Sequence, residues 1–401
     1  MVAMKIIHTS DWHLGGRLHG WDRSDEEDRF FSQLRAAVAN ERPDALLVSG
    51  DVFDTGTPGN DVAKKFNDAL LDISEACRTM EIVVIAGNHD SYSRLVVDES
   101  LWQRHRVHVF GIPSEDAEGK AVFAANVVEI AQKGVVAAVP FCHERNFPSV
   151  AGAAGESRLR EYFTGMAAFA AEKARGRPCI LMAHLSVGSE TDFTGQDKTM
   201  AIGGQTCVEP ELLGTVYDYI ALGHIHCPQW IKGARKVARY CGTPRAIHLD
   251  EMYDHGVDVV EVDAGKEPAL RTEVLRPLRD VVTVGGRDGL PFDEVLKAVD
   301  VLDARPETYI RLNVALGEGV VVGPDWAERA RRTCSAKGCR YCAINPIRKE
   351  VASVSATAKV LTVAELRELS NEKVVEILAA RRSLTPRQRE LVRALMEEVG
   401  A

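Results

Sequence analysis

At 401 residues, with 45% hydrophobic and 27% charged side chains and a formal net charge of −9, the chain reads as a globular protein of two or three domains. That balance excludes large-scale disorder, and no apolar stretch reaches the length a membrane span needs. It also excludes a broad basic surface, so a polyanionic substrate would have to be met through bound cations or a partner.

The opening run Met1–Ile7 passes straight into a strand-like segment, Lys5–Thr9, rather than an apolar leader. A cytoplasmic protein is therefore expected, with Met1 and Met4 both open as the start. Ala45–Val48 and Ile82–Ala86 read as further buried strands, separated by the helix-compatible stretches Glu26–Glu41 and Asp61–Met80. Strand alternating with helix predicts the α/β class. Val135–Val139, Cys179–Met182 and Tyr219–Leu222 extend the series, followed by the β-rich segments Val237–Cys241 and Val257–Val262. After Pro277 the texture changes. Val281–Val284, Phe292–Leu302, Tyr309–Val314, Asp325–Thr333 and Arg340–Ile344 alternate between strand-like and helix-like, predicting a small separate α/β domain. In the tail, Thr362 with Glu365 and Thr385 with Gln388 have capping-box spacing, and Pro386 suits a first helical position. Leu366, Leu369, Val374, Ile377, Leu378, Leu391, Leu395 and Val399 supply apolar faces, either for a lid or for docking to a partner's helices.

Nine cysteines, odd in number and scattered, argue against a disulfide framework. Cys334, Cys339 and Cys342 offer three thiols with no fourth ligand nearby, so ordinary reduced thiols are preferred to a zinc site.

The polar residues that follow the strands carry the chemistry. Ile6–Thr9 leads into Asp11 and His13, Ala45–Val48 into Asp51, Ile82–Ala86 into Asn88, His89 and Asp90, Cys179–Met182 into His184, and Tyr219–Leu222 into His224 and His226. Open α/β sheets bind ligands beyond the carboxyl ends of their strands. In an extended segment residues i and i+2 point the same way, so Asp11 and His13 are expected to face one ion, and His224 and His226 a common centre. The candidate ligands Asp11, His13, Asp51, Asn88, His184, His224 and His226 comprise two carboxylates, four imidazoles and one amide. That mixture suits manganese, iron or zinc better than calcium. Two such cations leave a surplus positive charge for a phosphodiester, with Asp51, central in the series, as the candidate bridge. His89 is placed to stabilise a transition state or protonate a leaving alkoxide, and Asp90 either orients it or caps the next segment.

At these residues the chain resembles the calcineurin-like metallophosphoesterases. It is closer still to the SbcD-type nucleases among them, through His8–Gly15, Gly50–Gly56, Ala86–Ser91, Tyr219–His226 and Tyr240–Pro244. The resemblance implies a β-sandwich flanked by helices over 1–275, a small α/β capping domain over 276–355 that shapes the DNA path, and a helical tail over 360–401 that docks a partner. It implies two manganese ions, one on Asp11, His13 and His226 and the other on Asn88, His184 and His224, with Asp51 shared and His89 catalytic. Relatives from archaea and eukaryotes carry a second histidine three residues after the bridging aspartate; Asp54 stands there in this chain. The implied activity is exonuclease action on double-stranded DNA ends and endonuclease action on single strands or hairpins, in DNA repair, recombination and replication. The implied assembly is a homodimer within a two-plus-two complex with an SbcC-type ATPase, and no P-loop is present in this chain.

Arg17, His19, Tyr92 and Arg94 are candidate DNA contacts, because they follow the first and third motifs. His8, His105, His108, His143, His248 and His255 are expected to be packed or solvated residues without a role in the site. The basic run Arg329, Arg331, Arg332, Lys337 and Arg340 is either a solvated face or a contact to the DNA backbone. The rival readings are a free-standing metallophosphodiesterase or phosphatase, disfavoured by the extra C-terminal segments, and a non-catalytic scaffold, disfavoured by the complete ligand set.

Overall fold

In the computed structural model, residues 3–151, 157–188, 207–233, 237–317 and 321–348 are described. The predicted helical tail over 360–401 and its capping boxes lie outside them. Residues 1–347 form one compact unit.

The chain opens with β1 (Met4–Thr9), α1 (Ser24–Glu41), β2 (Ala45–Ser49), α2 (Asn60–Ala76) and β3 (Glu81–Ile85). Two four-residue helices, α3 (Tyr92–Leu95) and α4 (Glu99–Trp102), precede β4 (Val107–Phe110), β5 (Val127–Ile130) and β6 (Gly134–Val139). Next come α5 (Arg158–Ala174), β7 (Cys179–His184), β8 (Tyr219–Gly223), β9 (Gln229–Trp230), β10 (Ala238–Tyr240), β11 (Gly256–Val262) and β12 (Ala269–Val274). The described part closes with β13 (Val281–Val284), α6 (Phe292–Val301), β14 (Tyr309–Leu316), α7 (Trp326–Ala336) and β15 (Arg340–Arg348).

Two six-stranded sheets form the body, in the orders β12-β11-β1-β2-β3-β4 and β5-β6-β7-β8-β10-β9. Strands β1 to β4 are parallel, as are β6, β7, β8 and β10; the strands outside them pair antiparallel. The apolar runs are buried on both faces because each sheet is covered twice. In β2, Leu46 and Val48 pack with Phe30, Leu34, Phe66 and Leu70 of α1 and α2, while Ala45 and Leu47 pack with Ile180 and Met182 of the second sheet. On the far side, Leu181 and Ala183 of β7 meet Tyr162, Met166 and Ala170 of α5. The result is a helix–sheet–sheet–helix sandwich, as the fold class requires. Helix α1 forms because Phe30, Phe31, Leu34, Ala37 and Val38 recur at helical spacing, and Asp25, Glu26 and Glu27 complement its N-terminal dipole.

Polar groups also cross between the sheets. Arg239 of β10 donates through Nε to Asp258 Oδ2 of β11 at 2.6 Å, and Thr272 of β12 donates to Asp258 Oδ1 at 2.6 Å. His8, packed as expected, lies 2.9 Å from the hydroxyl of Tyr219 through Nδ1.

The sequence reading leaves out α3, α4, α5, β4, β5, β9 and β12. The buried face of α5 is built partly from Ala167, Ala170 and Ala174, so its apolar contrast is weak. Strand β12 is an edge strand with no fully buried residue, and charged Arg271 and Glu273 mark it as such.

Strands β13, β14 and β15 form a third sheet with its own core, in which Phe292, Val295 and Val299 of α6 meet Ile310, Leu312 and Val314 of β14. This segment is tied to α1 and the loop before it. Buried Arg279 bonds Asp25 Oδ1 at 2.7 Å and Glu307 Oε2 at 2.6 Å, and Trp21 Nε1 donates to the Tyr341 carbonyl at 2.8 Å. Much of the basic run is neutralised: Arg329 pairs with Asp293, Arg331 and Arg332 with Glu328, and Arg340 with Glu307. Cys334, Cys339 and Cys342 are buried free thiols, and all nine cysteines are free.

The Arg239–Asp258 pair predicts a large stability effect. Asp258→Ala strands a buried guanidinium and should cost about 3–5 kcal/mol in denaturant unfolding. Asp68→Ala, which breaks the exposed Lys64–Asp68 pair, should cost less than about 0.5 kcal/mol in the same assay.

Candidate metal centre

The carboxyl ends of β1, β2, β3, β7 and β8 meet at one edge of the sandwich. Past β1 and β2 the two chains stay paired: Asp11 N–H donates to the Gly50 carbonyl at 2.9 Å, and His13 N–H to the Asp51 carbonyl at 3.0 Å. Asp11 (φ 53°), His13 (φ 45°), Asp51 (φ 48°) and His224 (φ 101°) all take positive φ. Such backbone is uncommon outside glycine and gathers at functional sites, although Asp and His tolerate it better than most residues. The backbone at Asp11 and His13 is therefore not the extended one assumed for the i, i+2 argument. Two glycines are required by close approach. A Cβ on Gly87 would lie 2.1 Å from Asp51 Oδ1, and one on Gly223 would lie 1.8 Å from the Ser49 carbonyl oxygen.

Among the described residues four groups of ligand-type atoms result, one of them His13, Asp54 and His89, and two are built from the candidate ligands alone. Asp11, His13 and His226 offer one atom each within 4.8 Å of one another, and so do Asp51, His184 and His224. His224 and His226 thus fall in different groups, which corrects the expectation of a common centre; the turn after β8 separates their side chains. Asn88 Oδ1 joins the second group, 3.0 Å from both His184 Nε2 and His224 Nδ1. Asp51 links the two groups, its Oδ2 lying 3.4 Å from His184 Nε2 and 3.8 Å from His13 Nε2. Asp11, His13, Asp51, His184 and His226 are buried, His224 is half-buried, and Asn88 is exposed at the mouth.

These groups fit divalent cations. His184 Nδ1 lies 2.8 Å from the Ser49 carbonyl, which only accepts, so Nδ1 keeps its proton and Nε2 is the atom that can offer a lone pair once its own proton is displaced. Both ring nitrogens of His13 and Nε2 of His226 are buried without a hydrogen-bond partner, an arrangement that is costly unless a ligand takes them. His13 Nδ1 approaches Asp54 Oδ1 at 3.3 Å, close enough for charge attraction but outside hydrogen-bond alignment. Imidazole, carboxylate and amide together are the donors of a transition-metal site.

His89, half-buried, sits at the rim. Its N–H donates to Asp51 Oδ1 at 2.9 Å, and its Nδ1 donates to the Asp54 carbonyl at 2.9 Å, leaving Nε2 as the ring atom available to a substrate. Asp90 does not take the N-cap of α3, which falls to Ser91, and it places His89 through the backbone of the loop. Its carboxylate accepts from the N–H groups of Gly87, Val52 and Phe53 at 2.8, 3.1 and 2.9 Å, which ties the second and third loops together.

Three residues near the site were not singled out from sequence. Glu251 Oε1 lies 2.8 Å from His226 Nδ1. His248, expected to have no role, stacks on His226 with ring centroids 5.7 Å apart and forms a further ligand-type group with His226 and Glu251. Buried Arg245 donates to the carbonyls of Trp12 and His13 at 3.2 and 3.1 Å. No spacing in the sequence points to them; each reaches the site only through tertiary contact. Of the candidate DNA contacts, Arg17 and His19 are exposed and line a cavity of about 250 Å³ shared with His13, Asp54 and Arg245. Tyr92 and Arg94 are exposed on α3, directly after the His89 loop.

Residues 4–228 match the calcineurin-like phosphoesterase family. The chain is 32% identical to the SbcD component of the nuclease SbcCD from Rhodobacter capsulatus over 312 residues, 75% of this chain and 76% of that protein. It is 31% identical to the protein of that name from Bacillus subtilis over 296 residues, 72% of this chain and 73% of that one. With the counterpart from Escherichia coli strain K12 it shares 29% identity over 266 residues, 62% of each chain.

The charges around His184 predict a proton linkage. Burial pulls its imidazole down, but the Asp51 carboxylate beside it reverses this and holds it up at about 9. A cation must displace that proton. Binding at pH 7.5 should therefore release a proton from His184, and affinity should rise with pH up to about 9. Calorimetric titration in buffers of different ionisation enthalpy measures the release.

Proposed function

The chain belongs to the calcineurin-like phosphoesterases, and with the SbcD nucleases among them; on that premise we propose that it is a metal-dependent nuclease that hydrolyses DNA phosphodiester bonds. The observation that carries this reading is the pair of ligand groups joined by one buried carboxylate, Asp51, with His89 at the rim.

Asp11, His13 and His226 would hold one divalent cation and Asn88, His184 and His224 the other, with Asp51 shared. Two such ions, manganese in this reading, would supply Lewis acidity to the phosphoryl oxygens and acidify a water at neutral pH. The protein's own groups do the rest. His89 has its Nδ1 proton committed to the Asp54 carbonyl, which leaves Nε2 as the ring atom that can pass a proton to the departing alkoxide. Because His89 is half-buried, it can recover that proton from solvent. The packed histidines and the sandwich beneath them keep water from the inner side of the centre.

A net charge of −9 opposes approach of a polyanion, so substrate capture falls to the cations, to local groups and to a partner. Arg17 and His19, which line a cavity with His13, and Tyr92 and Arg94, which follow the His89 loop, are the exposed side chains assigned to a passing strand. The relatives' names support a partner, the C component of SbcCD; on this reading it is an SbcC-type ATPase in a two-plus-two complex that contains a homodimer of this chain and acts on DNA ends and hairpins in repair, recombination and replication. Nine free thiols agree with a cytoplasmic setting, and among the described residues no helix is long and apolar enough to cross a membrane.

The test is an assay of the purified protein with Mn2+ on linear duplex DNA, a hairpin, a cyclic nucleotide and a phosphopeptide. DNA should be cut, and Asp51→Asn should abolish cutting. His89→Ala should keep metal binding but lower kcat roughly 10²–10⁴-fold. Full activity in His89→Ala would remove it from the mechanism, and hydrolysis confined to the cyclic nucleotide or phosphopeptide would overturn the nuclease reading.

A further inference from the structure

The segment after β10 lies outside the residues that match the phosphoesterase family, 4–228, yet it reaches into the metal centre. Glu251 is the residue that arrives there. Its side chain is only 3% exposed, as is that of His226. The two carboxylate oxygens have separate partners. Oε2 accepts from the Ile247 N–H at 2.8 Å and from the Thr243 hydroxyl at 3.2 Å. Oε1 accepts from His226 Nδ1 at 2.8 Å. One oxygen thus anchors the carboxylate to its own loop, and the other is presented to the imidazole.

Thr243 is itself held to the ligand it serves, since its N–H donates to the His226 carbonyl at 3.0 Å. The ring is confined as well. His248 stacks on it with an interplanar angle of 11°, and His13 meets it edge to face with centroids 5.1 Å apart.

We propose that Glu251 is a positioning residue for the cation held by Asp11, His13 and His226: by accepting the Nδ1 proton of His226 it fixes the tautomer and aims Nε2 at that cation. This rests on the two-cation reading above. The fixed tautomer leaves Nε2 with a lone pair, and that buried atom has no hydrogen-bond partner in the structure. A carboxylate behind a ligating imidazole also makes that imidazole a stronger donor. The second group is oriented differently, since His184 leans on the neutral carbonyl of Ser49. Loss of Glu251 should therefore affect one cation and spare the other. General destabilisation of the fold would not produce that asymmetry.

The experiment uses the full chain as wild type, Glu251→Ala and Glu251→Gln, with Mn2+ binding followed by calorimetry and by electron paramagnetic resonance, alongside thermal unfolding. The wild type should bind two ions. In Glu251→Ala one of them should bind about 10–100-fold more weakly and the other with unchanged affinity. Raising Mn2+ should then restore DNA cleavage, so that the metal dependence shifts more than kcat. Glu251→Gln keeps an oxygen for the Nδ1 proton without the charge and should fall between. It decides the matter if the alanine variant does not fold, with selective weakening of one ion in support. Unchanged affinities, or parallel weakening of both ions with a drop in unfolding temperature, would overturn the proposal. A wild type that binds no Mn2+ would instead overturn the two-cation reading itself.

Discussion

The buried carboxylate of Asp51 is the constraint around which the rest is arranged. Burying it alone would cost several kcal/mol. Here it is met by His184 at 3.4 Å, by His13 at 3.8 Å and by the His89 N–H at 2.9 Å. Burial opposes its ionisation, but the imidazole of His184 prevails and holds it far below the usual carboxylate range. Gly87 must lack a side chain for this to fit, and Asp90 must gather the loops of β2 and β3 so that Asn88 and His89 arrive beside it. The sandwich supplies what no local segment can: strand ends from two sheets brought to one place with little freedom to move.

Much of this was legible in the sequence because the strands are apolar on both faces. Runs such as Ala45–Val48 and Cys179–Met182 have no polar side to expose, so they had to lie inside a covered sheet, and the polar residues after them had to fall at its edge. Helices with strong contrast, such as α2 and α6, were visible through the spacing of their apolar residues. Helix α5, with its alanine-rich buried face, and the edge strand β12 were not. Within the site, residue types and order identified candidates, but not how the side chains would divide. The i, i+2 rule assumes extended backbone, and positive φ at Asp11, His13 and His224 breaks that assumption. Glu251, His248 and Arg245 stayed hidden because their link to the ligands is purely tertiary.

The third sheet bears on function through its attachment. The loop after the first motif carries Arg17 and His19, and Trp21 at its end bonds the backbone of β15. Asp250, next to Glu251, pairs with Arg311 of β14. The segments that flank the metal centre on this side are therefore braced by β13–β15 and their helices, and a shift in that layer would reach the loops holding His13 and His226. The arginines of α7 are paired with carboxylates, Arg329 with Asp293 and both Arg331 and Arg332 with Glu328, so this helix presents little net positive charge.

The most direct measurement of the central claim is an anomalous difference map from crystals of the protein grown with Mn2+. Two peaks are predicted, one among Asp11, His13 and His226 and one among Asn88, His184 and His224, with Asp51 touching both. A single peak, or manganese bound elsewhere with these side chains left in contact only with one another, would contradict the account.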